Sequence, residues 1–114
     1  MLKNLKFGIP CSKIKDRIND VDVHCSSESE AMAIAAGCIL AGKEPEVYMQ
    51  NSGLGNIVDV CTSLYMPYEI PYPRMLLSRR VKPYHHSFMG KITEEILKLL
   101  HYRNVELVNQ SWKE

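Results

Sequence analysis

The segment 47–58, VYMQNSGLGNIV, places Gln50, Asn51, Ser52, Gly53 and Gly55 between two apolar runs. A strand-to-helix turn needs little more than one glycine and a capping side chain. Gln50 and Asn51 each carry donors and acceptors, a set that can grip a polar organic ring or a carboxylate. The phosphate-cradling patterns G-x-x-x-x-G-K-[ST] and G-x-G-x-x-G are both absent, so a nucleotide loop has no support here. A second cluster is SSESEAMAIAAG, residues 26–37, in which Ser27 and Glu30 have capping-box spacing. Glu28 is then left over. Either it complements the positive end of a helix dipole, or it is a carboxyl entering a cleft for proton exchange. His85 and His86 form a third group, readable as solvated side chains or as an acid–base pair. Arg79, Arg80 and Lys82 precede them, solvated by default but able to hold an anion.

These residues need a scaffold, and the chain alternates strand and helix patterns. Strands are expected at 5–9, 21–24, 46–49, 74–78 and 105–108. Pro10 ends the first, and Ser12 can cap a short helix carrying Ile14 and Ile18. The segment 28–41 is apolar nearly all round and stops at Gly42, which predicts a deeply buried helix. Ile57, Val60, Cys61 and Leu64 recur at helical spacing until Pro67. Residues 91–102 read as an amphipathic helix with Ile92, Ile96 and Leu99 inward, its glutamates early and its basic residues late. Alternation of this kind predicts one compact α/β domain over 1–114, a parallel sheet with helices on both faces. Ligands of such sheets bind at the carboxyl ends of the strands, and every unusual polar cluster falls there.

The 114 residues suffice for one domain. A net charge of +1 with mixed signs lacks the basic patch that nucleic acid or an anionic membrane needs. No apolar run approaches a membrane span, and the first residues lack a signal peptide's apolar core, so a cytoplasmic protein is expected. Cys11, Cys25, Cys38 and Cys61 are scattered without a C-x-x-C pair, which predicts reduced thiols and no metal site.

The strings GIPCSKIK, SSESEAMAIAAGCILAGKEPEVYMQNSGLGNIV, TSLY and HHSFMGKITEEIL, in that order, carry a family resemblance. Together they resemble the pyrimidine-binding (PYR) domain of thiamine-diphosphate-dependent 2-oxo-acid decarboxylases, in particular phosphonopyruvate decarboxylase and the sulfopyruvate decarboxylase alpha subunit. The resemblance places the glutamate that contacts ring nitrogen N1′ of the cofactor's aminopyrimidine at Glu28. It makes Gln50, Asn51, Ser52 and Gly53 cofactor-binding, with Gln50 and Asn51 also facing substrate. Gly53 and Gly55 would let the backbone approach the partner and cofactor closely. Cys11 and Ser12 take the variable substrate-facing position, His86 with His85 the two-histidine motif, and Arg79 and Arg80 an anion-holding role. The expected substrate is a small anionic 2-oxo acid, sulfopyruvate or phosphonopyruvate.

Three departures accompany it. The helix that precedes the first strand in the family is expected to be missing. The segment 78–86, SRRVKPYHH, is short and lacks the W-R-G or H-R-G turn. No G-D-G followed by Asn occurs, the motif that holds magnesium and diphosphate in the family's PP domain. The resemblance therefore implies thiamine diphosphate shared with a PP-type (beta) partner subunit that holds Mg2+, and PYR–PYR self-association. The alternative is a non-catalytic PYR-like module with an assembly or regulatory role.

Overall fold

A computed structural model describes residues 5–9 and 21–109. The expected helix with Ile14 and Ile18, together with Cys11 and Ser12, lies outside the described residues. Five strands form one sheet: β1 (Lys6–Gly8), β2 (Val23–His24), β3 (Glu46–Gln50), β4 (Arg74–Arg79) and β5 (Val105–Asn109). Their order is β2-β1-β3-β4-β5 and every pairing is parallel, as the alternating pattern required. β2 is only two residues long and exposed, shorter than its apolar run suggested.

Strand alternation divides the sheet into two faces. Phe7, Val47 and Met75 align across the strands, as do Met49, Leu77 and Leu107. All six join one apolar cluster, with Leu107 at its margin. Tyr48 and Leu76, buried on the opposite face, do not belong to it. On that opposite face, at the amino edge, Arg74 bridges Glu106 at 2.6 Å and Glu46 at 3.6 Å.

Three helical segments contribute to the cluster. The first, α1 (Glu28–Leu40), buries Ala31, Met32, Ala35 and Ala36. It is not buried all round: Ile34 and Leu40 are exposed, and a Cβ added at Gly37 would meet nothing within 4 Å. A single helix can pack only one stripe on one sheet, so its second apolar stripe stays outside. α2 (Val58–Val60) runs on into a π-helical stretch, Cys61–Tyr65. There the Met66 N–H donates to the Cys61 carbonyl at 2.9 Å, five residues back.

α3 (Ser87–Leu99) starts four residues earlier than its pattern implied, following a 3-10 turn, Tyr84–His86. Its inward stripe is Gly90, Thr93, Ile96, Leu97 and Leu100. Ile92 and Leu99, expected inside, are 47% and 78% exposed, because the polar Thr93 takes the place that an apolar count gives to Ile92. The earlier start also leaves Glu94 and Glu95 in the middle of the helix; no acidic residue occupies its first turn.

All three helical segments end with a left-handed residue: Gly42, Glu69 and His101. In each case the next amide reaches back to the helix, Lys43 to Cys38, Ile70 to Tyr65 and Tyr102 to Leu97, all at 2.9 Å. This is the Schellman arrangement, which satisfies carbonyls that a helix end leaves open. Ile70 and Tyr102 then turn into the core, where the Tyr102 hydroxyl donates to the Pro73 carbonyl at 2.6 Å. Cys25 and Cys61 are buried free thiols and Cys38 is a half-buried one. Burial pushes the Cys61 thiol up to about 11, which makes it a poor nucleophile and a structural side chain. No described helix is long and apolar enough to cross a membrane.

Candidate functional site

Ser27 caps α1: its hydroxyl accepts from the Glu30 N–H at 3.1 Å. The return half of the box differs from expectation. Glu30 reaches Ser26, not Ser27, accepting from its N–H at 3.1 Å and its hydroxyl at 2.9 Å. Those bonds hold the Glu30 carboxyl below its usual range, favouring the charged form. Glu30 is thus committed to capping, and Glu28 is free for another task.

Glu28 lies half-buried at the first helical position, against the loop that follows β3. That loop, Asn51–Asn56, is one 3-10 turn, with Leu54 and the following Ile57 fully buried. A Cβ at Gly53 would fall 2.5 Å from Glu28 Cγ and 2.9 Å from Cδ. The absent side chain at Gly53 is therefore the space in which Glu28 lies. Gly53 admits a side chain of its own chain, where close approach by a partner or cofactor was expected. Gly55 has open space at the same position. The Asn56 side-chain amide donates to Glu28 Oε1 at 2.9 Å. Oε2 makes no hydrogen bond among the described residues.

Asn51 and Gln50 part company. Gln50 donates from Nε2 to the exposed Ser52 hydroxyl at 3.0 Å, so both stay near the surface at the end of β3. The Asn51 side chain turns inward and is 1% exposed. Its amide nitrogen donates to the Arg80 carbonyl at 3.2 Å and the Thr93 hydroxyl at 3.0 Å. Its carbonyl accepts from the Arg80 N–H at 3.0 Å. These three bonds join β3, the end of β4 and α3. Asn51 ties the loop to the fold.

His85 and His86 stack with ring centroids 4.1 Å apart, just ahead of α3. Partial burial, then the charges of Arg80 and His85, hold the His86 imidazole below its ordinary value of 6.5. It is therefore neutral at pH 7 and able to accept a proton. The two arginines differ. Arg79 donates to the Gly90 carbonyl at 2.7 Å and pairs with Glu94 at 2.8 Å. Arg80 donates from Nε to the Lys82 carbonyl at 2.9 Å and stands beside His86. No group of three His, Cys, Asp or Glu among the described residues could hold a metal ion.

The carboxyl edge thus unites Glu28 with the 51–56 loop, and Asn51 with Arg80 beside His86. Two contributors escaped the sequence reading. Thr93 was visible only as a polar residue in an apolar helix face, and Asn56 gave no signal beyond its place at the end of the loop.

No protein-family model matches the chain. It is 37% identical over 77 residues to the sulfopyruvate decarboxylase subunit alpha of Methanocaldococcus jannaschii, covering 60% of this chain and 46% of that one. Against the same subunit of Methanothermobacter thermautotrophicus it is 35% identical over 103 residues, 82% of this chain and 62% of that one. It is 38% identical over 104 residues to the phosphonopyruvate decarboxylase of Streptomyces viridochromogenes, 81% of this chain and 26% of that one. The chain spans about half the length of the curated alpha subunits it matches and about a quarter of that decarboxylase.

Proposed function

We propose that this chain, a relative of sulfopyruvate decarboxylase alpha subunits and phosphonopyruvate decarboxylases over four fifths of its length, is the pyrimidine-binding part of a thiamine-diphosphate-dependent 2-oxo-acid decarboxylase. The observation that carries this reading is Glu28. It is a half-buried carboxyl at the carboxyl edge of a parallel sheet, with Oε1 held and Oε2 without a partner among the described residues. A flat heteroaromatic ring with one basic nitrogen fits such a group. Thiamine diphosphate, when bound, supplies the carbon that attacks the 2-oxo group and holds the electrons released as carbon dioxide leaves.

The chain's own residues do the rest. Glu28 exchanges a proton with the ring nitrogen through Oε2. Gln50 and Ser52 present an amide and a hydroxyl to the ring or the substrate. Arg79 and Arg80 are the guanidinium groups at this edge that can meet a sulfonate or phosphonate, Arg79 on release of Glu94. Neutral His86 serves as a base or orienting donor beside that charge. Magnesium and the diphosphate belong to a PP-type partner, a division supported by the name "subunit alpha" that the relatives bear. The exposed stripe of α1, with Ile34 and Leu40, is offered to self-association.

Purifying the chain from its host with its partner, then supplying sulfopyruvate or phosphonopyruvate with the cofactor and magnesium, tests the reading. Carbon dioxide release by the complex, with no calorimetric binding of cofactor to the lone chain, is the expected result. Tight magnesium-dependent binding by the lone chain would overturn the division of labour. A stable complex that turns over neither acid would favour the non-catalytic module.

The pH profile adds a second test. Because the His86 pKa lies below 6.5, its neutral form persists into mild acid, and activity that needs it should fall only below that value. His86→Ala should remove this acid limb from kcat/KM while His85→Ala merely shifts it. An unchanged profile in both variants would make the pair ordinary surface residues.

A further inference from the structure

We infer that Asn56 is a positioning residue for Glu28, one that decides which carboxyl oxygen carries the exchanging proton. This rests on the decarboxylase reading for its consequence, but the geometry stands by itself. The Asn56 Nδ2 group donates to Glu28 Oε1 at 2.9 Å across 28 residues of sequence. An amide nitrogen offers only hydrogens, so the lone pair of Oε1 must face it. A proton arriving on the carboxyl therefore resides on Oε2, the oxygen without a partner among the described residues.

The stem is held as well as the head. Glutamate has three rotatable bonds, and their freedom is lost when the carboxyl is fixed. Part of that restriction is already built in, because the Gly53 backbone lies directly beneath Cγ and Cδ. The loop that supplies both Gly53 and Asn56 is itself immobilised. Leu54 and Ile57 are fully buried on either side of Asn56, and the Asn51 side chain anchors the loop's first residue to Arg80 and Thr93. Asn56 thus carries the rigidity of the core to a carboxyl at the edge. It cannot titrate, so it fixes the proton's position without competing for it.

The first measurement uses the isotopically labelled chain alone. The Asn56 side-chain amide signals, assigned by their loss in Asn56→Ala, should move when the chain is acidified enough to protonate its carboxylates. In Glu28→Gln that movement should vanish. Amide signals that never move, or that still move in Glu28→Gln, overturn the inference whatever the enzyme does.

The second measurement uses the assembled complex. Asn56→Ala should lower kcat about ten- to a hundredfold, the scale of a misplaced reacting group, with KM within about twofold and an unchanged melting temperature. Asn56→Gln, which restores an amide donor, should recover part of the loss. Full kcat in Asn56→Ala alongside an inactive Glu28→Gln overturns the inference and leaves the decarboxylase reading intact. Full activity in Glu28→Gln defeats that reading instead, while the amide signals still decide whether Asn56 grips the carboxyl.

Discussion

Glu28→Gln in the assembled enzyme should slow decarboxylation by about 10²- to 10⁴-fold, the usual contribution of positioned proton transfer. The substitution keeps the shape of the side chain, and its amide oxygen can still accept from Asn56. The Gly53 recess, which a Cβ would fill, still receives the stem. What disappears is the exchangeable carboxyl proton and one negative charge at the start of α1. A charge at that position is worth about 0.3–1 kcal/mol through the helix dipole, so the melting temperature should fall only slightly. Large kinetic loss with small stability loss separates a chemical role from a structural one. Turnover within a fewfold of wild type would remove Glu28 from the mechanism, and a collapse in stability would reassign it to the fold.

Most of the scaffold that presents Glu28 was legible in the sequence. Strand runs separated by helical patterns dictate parallel pairing, and parallel pairing gathers the turns after β2, β3 and β4 at one edge. That is why the sequence pattern already puts Glu28 and the Gln50–Ser52 cluster at the same edge of the sheet. What failed was register on helix faces. Ile92, Ile96 and Leu99 satisfy helical spacing, yet only Ile96 of the three packs on the core, and the helix turns Thr93 and Leu97 inward beside it. A polar residue that is bonded in the core looks like a surface residue in any count of apolar positions. Thr93 is inside because Asn51, 42 residues away, donates to its hydroxyl. Long-range partners of this kind also hid the grip of Asn56 on Glu28 and the structural role of Asn51. Glu30 shows the local version: spacing located the cap at Ser27, but the carboxylate chose the amide one residue earlier.

The inward turn of Asn51 implies a second large effect, on stability. Asn51→Leu keeps a side chain of similar size and removes every hydrogen bond it makes. Thr93 still donates to the Met89 carbonyl at 2.6 Å, so its hydroxyl loses only an acceptor role. The Arg80 N–H and carbonyl lose Asn51 as their partner in a partly buried setting. Leaving a buried polar group unsatisfied costs about 1–3 kcal/mol, so the total should reach about 2–4 kcal/mol. That is a large share of the 5–15 kcal/mol typical of a domain. Urea denaturation should show a lower midpoint with an unchanged slope. Asn51→Asp refines the test through pH. A carboxylate can accept from the Arg80 N–H but would face the Arg80 carbonyl as acceptor against acceptor, whereas a protonated carboxyl can donate to it. The native state of that variant therefore binds its proton more tightly than the unfolded chain does. Its stability should be greatest in acid and decline as pH rises from about 4 toward 7. A variant Asn51→Leu with the wild-type urea midpoint, or Asn51→Asp with no such decline, would deny Asn51 this structural role.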